Sequence, residues 1–197
     1  MPAITYGKTN ITYQLERKYD VSYIKIYLDD LNGVYVTAAK QKSEDRIEAF
    51  IRKKALWIKQ KWKETHSDLY HIDQLTMDDE QRISYLGRSY QLFSEPISNE
   101  DEPSFRFQKS KFYYHYPKDL SKDEAQRLLI KKAKVWFREK SEQKLPTLTD
   151  HDIEIEEDSI RLGIKESDLI HLNWRIVQQP KDTIKQTIRD LWEEKTC

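Results

Sequence analysis

Chemistry in this chain would have to come from its histidines, its spaced carboxylates or a block of basic and aromatic residues. The five histidines are His66, His71, His115, His151 and His171. None of them makes the one-turn helical pair that holds a catalytic zinc ion. His66 and His71 lie near Asp68 and Asp73, but their spacing of five residues matches neither a helix face nor a strand face. They are expected in an ordinary polar loop. Asp190 and Glu194 stand at i and i+4 on an expected helix and could face one hard cation together. Two carboxylates make an incomplete site, since Ca²⁺ takes about six to eight oxygens. A solvated face, paired with Lys or Arg one turn away, is the expectation for them.

Arg52, Lys53, Lys54, Lys59, Lys61 and Lys63 follow one another with no acid between Ala49 and Lys63, interleaved with Trp57 and Trp62. Cations can meet phosphates while rings stack on bases, so this segment (46–63) is a possible nucleic-acid surface. It would equally suit a protein partner or a lipid surface. The plainer expectation places the tryptophans in a core and leaves the lysines to solvate the outer face. The acidic counterpart is Asp150, Asp152, Glu154, Glu156, Glu157 and Asp158, alternating with Ile153 and Ile155. That pattern puts carboxylates on the outer face of a strand, where they could dock on the basic helix within one molecule or between two.

The elements that must position these groups are readable from period and punctuation. Ile11 to Leu15 and Val21 to Leu28 have strand chemistry, and Asp29-Asp30-Leu31-Asn32-Gly33 turns the chain into Val34-Tyr35-Val36. Ser43 is a helix cap followed by Glu44 and Asp45, and Ile47, Phe50, Ile51, Trp57, Ile58 and Trp62 mark an apolar face on a helix of about residues 43–65. Two further hairpins pair Ile83–Leu86 with Tyr90–Phe93, and Phe105–Phe107 with Phe112–Tyr114. Ser121-Lys122-Asp123-Glu124 is a capping box, opening a second long helix whose buried face carries Leu128, Leu129, Ala133, Trp136 and Phe137. A last strand group ends in Ile170-His171-Leu172-Asn173-Trp174, and Ile184, Ile188, Leu191 and Trp192 form the stripe of a terminal helix. No internal repeat is evident. The class is α+β, with antiparallel hairpins and a long helix in each half, divided into a strand-rich lobe at 1–118 and a second lobe at 119–197.

The bulk properties narrow the setting. With 197 residues, 38% hydrophobic and 12% aromatic, the chain can build a core and is not of disordered composition. Its 34 basic and 34 acidic side chains cancel, so no global field draws it to nucleic acid or membrane. There is no apolar run of membrane-spanning length and no signal-peptide pattern. The one cysteine, Cys197, is the last residue. A cytoplasmic setting is expected.

In order, these pieces resemble the YgjP-like metallopeptidase domain, a group related to SprT-like and other HExxH zinc peptidases. The most specific similarities are Tyr85-Leu86-Gly87-Arg88-Ser89-Tyr90-Gln91-Leu92 and Ile170-His171-Leu172-Asn173-Trp174-Arg175-Ile176. Gly87, Arg88, Tyr90, Arg161, Gly163, Asn173, Trp174 and Arg175 are the motif remnants. Departures matter more. Members carry Arg-Trp-Gly-Ser-Cys where this chain has Arg161-Leu162-Gly163-Ile164-Lys165, keeping the arginine and the glycine. The resemblance places the two zinc-binding histidines at Asp190 and Glu194, and the catalytic glutamate at Leu191. It therefore implies a zincin-like C-terminal part that stops after the former active-site helix, with neither metal nor catalytic residues.

Three readings follow. The first is a non-catalytic, metallopeptidase-like protein that needs no cofactor and binds a protein or peptide partner. The second is a metal-dependent hydrolase with an altered or partner-completed site. The third is a nucleic-acid-associated module using the basic helix. Active relatives share that Lys-and-Trp helix, which favours its plain structural reading.

Overall fold

Short runs of Ile, Tyr, Val and Phe separated by two-residue turns build the sheets, and amphipathic segments after them build the helices. The structure is a computed structural model and describes residues 1–78, 80–98, 101–158 and 160–193. Glu194 and Cys197 lie outside the described residues. The strands are β1 (Ala3–Tyr6), β2 (Thr9–Lys18), β3 (Ile24–Asp29), β4 (Gly33–Ala39), β5 (Arg82–Tyr85), β6 (Arg88–Ile97), β7 (Ser104–Gln108), β8 (Lys111–Pro117), β9 (Asp152–Glu156), β10 (Gly163–Glu166) and β11 (Leu169–Asn173). The helices are α1 (Glu44–Thr65), α2 (Lys122–Lys144) and α3 (Lys181–Glu193), with 3₁₀ segments at Ser67–Gln74, Leu145–Leu148 and Trp174–Gln178. No helix among the described residues is long and apolar enough to cross a membrane.

The α+β class holds, and so do the three hairpins read from the sequence, β3–β4, β5–β6 and β7–β8, each antiparallel. The joints between hairpins are different. β2 pairs β4, β6 pairs β8 and β9 pairs β11 in parallel, so each sheet is mixed. Two boundaries also move. β1 lies ahead of the first strand expected, and Trp174 opens a 3₁₀ turn rather than closing a strand.

A repeat emerges that sequence reading does not find. The first sheet runs β1-β2-β4-β3 and the second β5-β6-β8-β7, with the same sense at every pairing and a long helix following each. Residues echo it faintly. Ile4-Thr5-Tyr6 answers Ile83-Ser84-Tyr85, Tyr13-Gln14-Leu15 answers Tyr90-Gln91-Leu92, and Lys53-Lys54-Ala55 answers Lys131-Lys132-Ala133. The third sheet, β10-β11-β9, is the same unit without its first strand, and α3 completes it. Such stacking of one supersecondary unit is what internal repeats build.

Helix starts and faces show where local rules hold. Ser121 and Glu124 form both bonds of the capping box, whereas Ser43 sits at the N-cap of α1 without a side-chain bond. On α1, Ile47, Ile51, Ala55, Ile58 and Trp62 are buried, but Trp57 is 46% exposed and belongs to the solvent face, against the expectation. They pack with Ile4, Ile11, Tyr13, Val34 and Val36 into one core cluster. A second cluster joins the other two sheets to α2 and α3 through Phe112, Tyr114, Phe137, Leu172, Trp174, Ile184 and Leu191. The backbone N–H of Leu162 donates to the Leu31 carbonyl at 2.8 Å, tying the first unit to the third.

Candidate functional site at the junction of the three units

Residues 173–175 end β11 and start the 3₁₀ turn, and each is buried. Asn173 caps that turn, its Oδ1 accepting from the Arg175 N–H at 3.1 Å. Its Nδ2 donates to the carbonyls of Asp158 (2.8 Å) and Arg161 (3.0 Å), which pins the loop after β9. Such a side chain satisfies backbone groups that burial would otherwise leave unpaired. Trp174 accepts at its carbonyl from the Ser141 hydroxyl of α2 at 2.7 Å.

Arg175 is the centre. Its guanidinium lies over the rings of both Tyr70 and Trp174, 4.6 and 4.5 Å from their centroids, contacts favoured by the ring quadrupoles. It donates to the Leu69 carbonyl (3.2 Å) and to Asp73 (3.1 Å). Asp73 also takes Lys134 of α2 at 2.5 Å. Gln178 shares the Leu69 carbonyl at 2.9 Å. Arg161 makes a second ion-pair group with Glu156 at 2.9 Å and Asp158 at 2.8 Å. The planar fork of arginine suits such multipoint pairing.

Burial pushes the Asp73 carboxyl up, but the hydrogen bond from Lys134 and the charge of Arg175 outweigh it and hold the carboxyl below its ordinary value. A depressed folded value means stability that is present above the unfolded value, about 3.9, and lost as pH falls through the folded one. Thermal melts of Asp73→Asn should therefore show a shallower loss of stability between about pH 5 and pH 2 than the unaltered protein. Parallel acid limbs would show that Asp73 carries no such share.

The other motif remnants divide. Leu86 (φ 48) and Gly87 (φ 77) form a left-handed two-residue turn, whose N–H groups donate to the carbonyls of Val177 (2.9 Å) and Gln178 (3.2 Å). A Cβ on Gly87 would lie 2.6 Å from Pro180 Cα, so only glycine allows the turn to dock there. A Cβ on Gly163 would meet Leu191 Cδ1 and the His171 carbonyl, both at 2.7 Å. Arg88 is exposed. Tyr90 packs on Phe107 with ring centroids 4.7 Å apart. Arg161, Gly163, Asn173, Trp174, Arg175 and the Gly87 turn thus converge on the joint, and Arg88 and Tyr90 stand outside it.

The local histidine cluster disperses. His71 Nε2 lies 3.0 Å from the Arg82 carbonyl, Asp68 meets Gln179, and His66 lies against Trp62 at 4.1 Å, where burial lowers its pKa. The basic residues disperse too. Arg52 donates to the Thr5 carbonyl (2.8 Å) and Lys59 to the Thr9 hydroxyl (2.8 Å). Lys61 pairs with Glu64 at 3.8 Å and Lys63 lies over Tyr70 at 5.9 Å, while Lys53 and Lys54 are exposed. The acidic strand is met mainly by Arg161 and His171, with His171 Nδ1 3.5 Å from Glu154. Lys59 and Lys63 share with Glu157, Asp158 and Arg175 a cavity of about 190 Å³.

On α3, Ile184, Ile188 and Leu191 are buried as expected, and Trp192 is only partly buried. Trp192 stacks on His151 at 3.8 Å, and the Lys165 ammonium lies over its ring, 3.8 Å from the centroid. Asp190 is exposed and accepts from Gln186 Nε2 at 2.6 Å. The zinc ion held by active members of the resembled family does not fit the described residues at this place. Where the catalytic glutamate would stand, Leu191 is 1% exposed. Among the described residues no three His, Cys, Asp or Glu side chains come together to hold a metal.

Sequence reasoning missed Tyr70, Lys134 and Gln178. All three reach the joint from distant segments, and nothing local marks them. Asp73 was visible only as part of the histidine cluster. A family model described as YgjP-like, metallopeptidase domain, matches residues 22–186, a stretch that ends within α3 ahead of Asp190. No curated protein and no solved structure matches the chain.

Proposed function

The chain belongs to the YgjP-like metallopeptidase domain family, and on that footing we propose that it is a non-catalytic member whose scaffold binds a peptide or protein partner. The observation that carries the proposal is the orientation of α3. Its buried stripe includes Leu191, packed over Gly163, while Asp190 faces outward onto Gln186. A helix that presents a zinc-activated water needs histidine donors and a carboxylate aimed at one point. This helix instead spends those positions on packing and on a solvated side chain.

The joint around Arg175 supports the same reading. The buried Arg175 is met by a protein carbonyl and a carboxylate, and Arg161 by Glu156, so this polar joint serves as a clasp between units. The nucleic-acid reading is weaker, because Arg52 and Lys59 are engaged within the fold.

Elemental analysis of the protein after exhaustive dialysis is the direct test. The expected result is zinc far below one ion per chain, with no peptide hydrolysis on adding zinc. Stoichiometric zinc with hydrolysis would establish the metal-dependent hydrolase in its place.

A further inference from the structure

Two strand edges face one groove outside the joint. β1 covers β2 only from Thr9 to Thr12, and the last bond on that side runs from the Tyr13 N–H to the Pro2 carbonyl at 3.0 Å. Backbone direction alternates along a strand. The N–H and C=O of Leu15 and Arg17 therefore point away from β4, past the end of β1. β10 is the edge of the third sheet. The Asn173 N–H donates to the Leu162 carbonyl at 2.7 Å, so Ile164 and Glu166 face β11 and the backbone of Lys165 faces out. Both edges line a groove of about 590 Å³, bordered by Tyr13, Leu15, Tyr35 and Ile164, with Met1 and Pro2 at one end. Successive residues of β2, from Tyr13 to Arg17, line it, as expected of a groove that runs along the edge of a strand.

Resting on the partner-binding reading above, we propose that this groove takes an extended peptide by strand addition, with an apolar side chain flanked by lysine or arginine. An extended backbone is the occupant that answers open edges, because its own N–H and C=O groups alternate at the same spacing. The charge preference comes from the rim. Arg17 is spent on the Lys42 carbonyl (2.7 Å), and its contact to the exposed Glu44, at 3.7 Å, is a weak surface pair. Lys165 is spent on the ring and the carbonyl of Trp192. The carboxylates of Glu16 and Glu166 are 60% and 54% exposed, and their contacts to Lys18 and His171, at 3.2 and 3.9 Å, are weak surface pairs. The rim that an incoming chain meets is acidic, and its floor is apolar. The open stretch of β2, about four residues at roughly 3.3 Å each, sets the length of peptide that pairs.

The probe is an acetylated and amidated hexapeptide of alternating lysine and valine, used on the intact protein with amide hydrogen exchange read by NMR. Binding should slow exchange at Leu15, Arg17 and Lys165 by about tenfold or more. The same peptide N-methylated at alternate amides should give no protection, because it keeps the side chains and loses the ladder. A Glu16→Lys, Glu166→Lys double variant should weaken binding by about tenfold. Protection confined to α1, equal binding of the N-methylated peptide, or no binding at all overturns the groove assignment. Failure of the groove leaves a zinc-free protein still non-catalytic. A zinc-loaded, hydrolytic protein that protects these three amides would sink the non-catalytic reading and keep the groove.

Discussion

Arg175→Met should destabilise the protein by about 2–3 kcal/mol, below the roughly 3–5 kcal/mol that orphaning a charge in a buried ion pair costs. The side chain is 5% exposed and its partner Asp73 is 21% exposed, so little solvent screens the pair. Methionine keeps most of the volume and removes the charge, which separates electrostatic loss from a cavity. Four things go at once: the bond to the Leu69 carbonyl, the pair with Asp73, the longer pair with Glu157 at 3.7 Å, and the cation contacts with the rings of Tyr70 and Trp174. Lys134 stays with Asp73 and Gln178 stays with Leu69, which holds the cost below that of an orphaned charge. Arg175→Lys should recover little, since an ammonium cannot present a planar fork to two rings and bridge two acceptors at once. Urea unfolding of the two variants decides it. A methionine variant within about 0.5 kcal/mol of the unaltered protein would mean that the joint is held by its apolar neighbours and that the clasp is incidental.

The sequence was most legible where a rule is local. The hairpins around Asn32-Gly33 and Leu86-Gly87 follow from turn chemistry, and the capping box of Ser121 and Glu124 forms as written. The stripe of Ile184, Ile188 and Leu191 follows from the helix period. Legibility ended where distant segments meet. The parallel joints β2–β4, β6–β8 and β9–β11 leave no mark, because a half-buried strand alternates in the same way whether its neighbour is parallel or antiparallel. The repeat was hidden for the same reason. It resides in the order of pairing, and only fragments such as Lys53-Lys54-Ala55 and Lys131-Lys132-Ala133 betray it. Trp57 was misplaced because a helix pattern with tryptophans one and a half turns apart fits two faces, and the sheet beneath α1 chose Trp62. The family motif told where the important residues are without telling what they do here. Asn173, Trp174 and Arg175 proved to be the clasp between units, with their partners Tyr70, Asp73 and Lys134 supplied from segments that carry no motif.

Leu191→Ala should cost about 2–5 kcal/mol, as truncation of a buried leucine does, while Asp190→Ala should change stability by no more than about 0.5 kcal/mol. The contrast tests what α3 is for. In a zinc peptidase the residues at these two positions serve the metal, and the resemblance gives them a histidine and a glutamate. Here Leu191 fills the space above Gly163, where Leu191 Cδ1 would lie 2.7 Å from an added Cβ, and it joins Ile184 and Ile188 in the core. Removing it opens a cavity under the last turn of the helix, beside a glycine that cannot reach in to fill it. Asp190 gives up one exposed bond from Gln186. Trp192→Ala should fall between them, at about 1–2 kcal/mol, because the ring is only partly buried and loses its stacking on His151 and the cation of Lys165. Denaturant melts of the three variants, each with and without zinc, read out the order. If Asp190→Ala proves the most damaging and its effect grows when zinc is added, α3 still serves a metal and the non-catalytic reading falls.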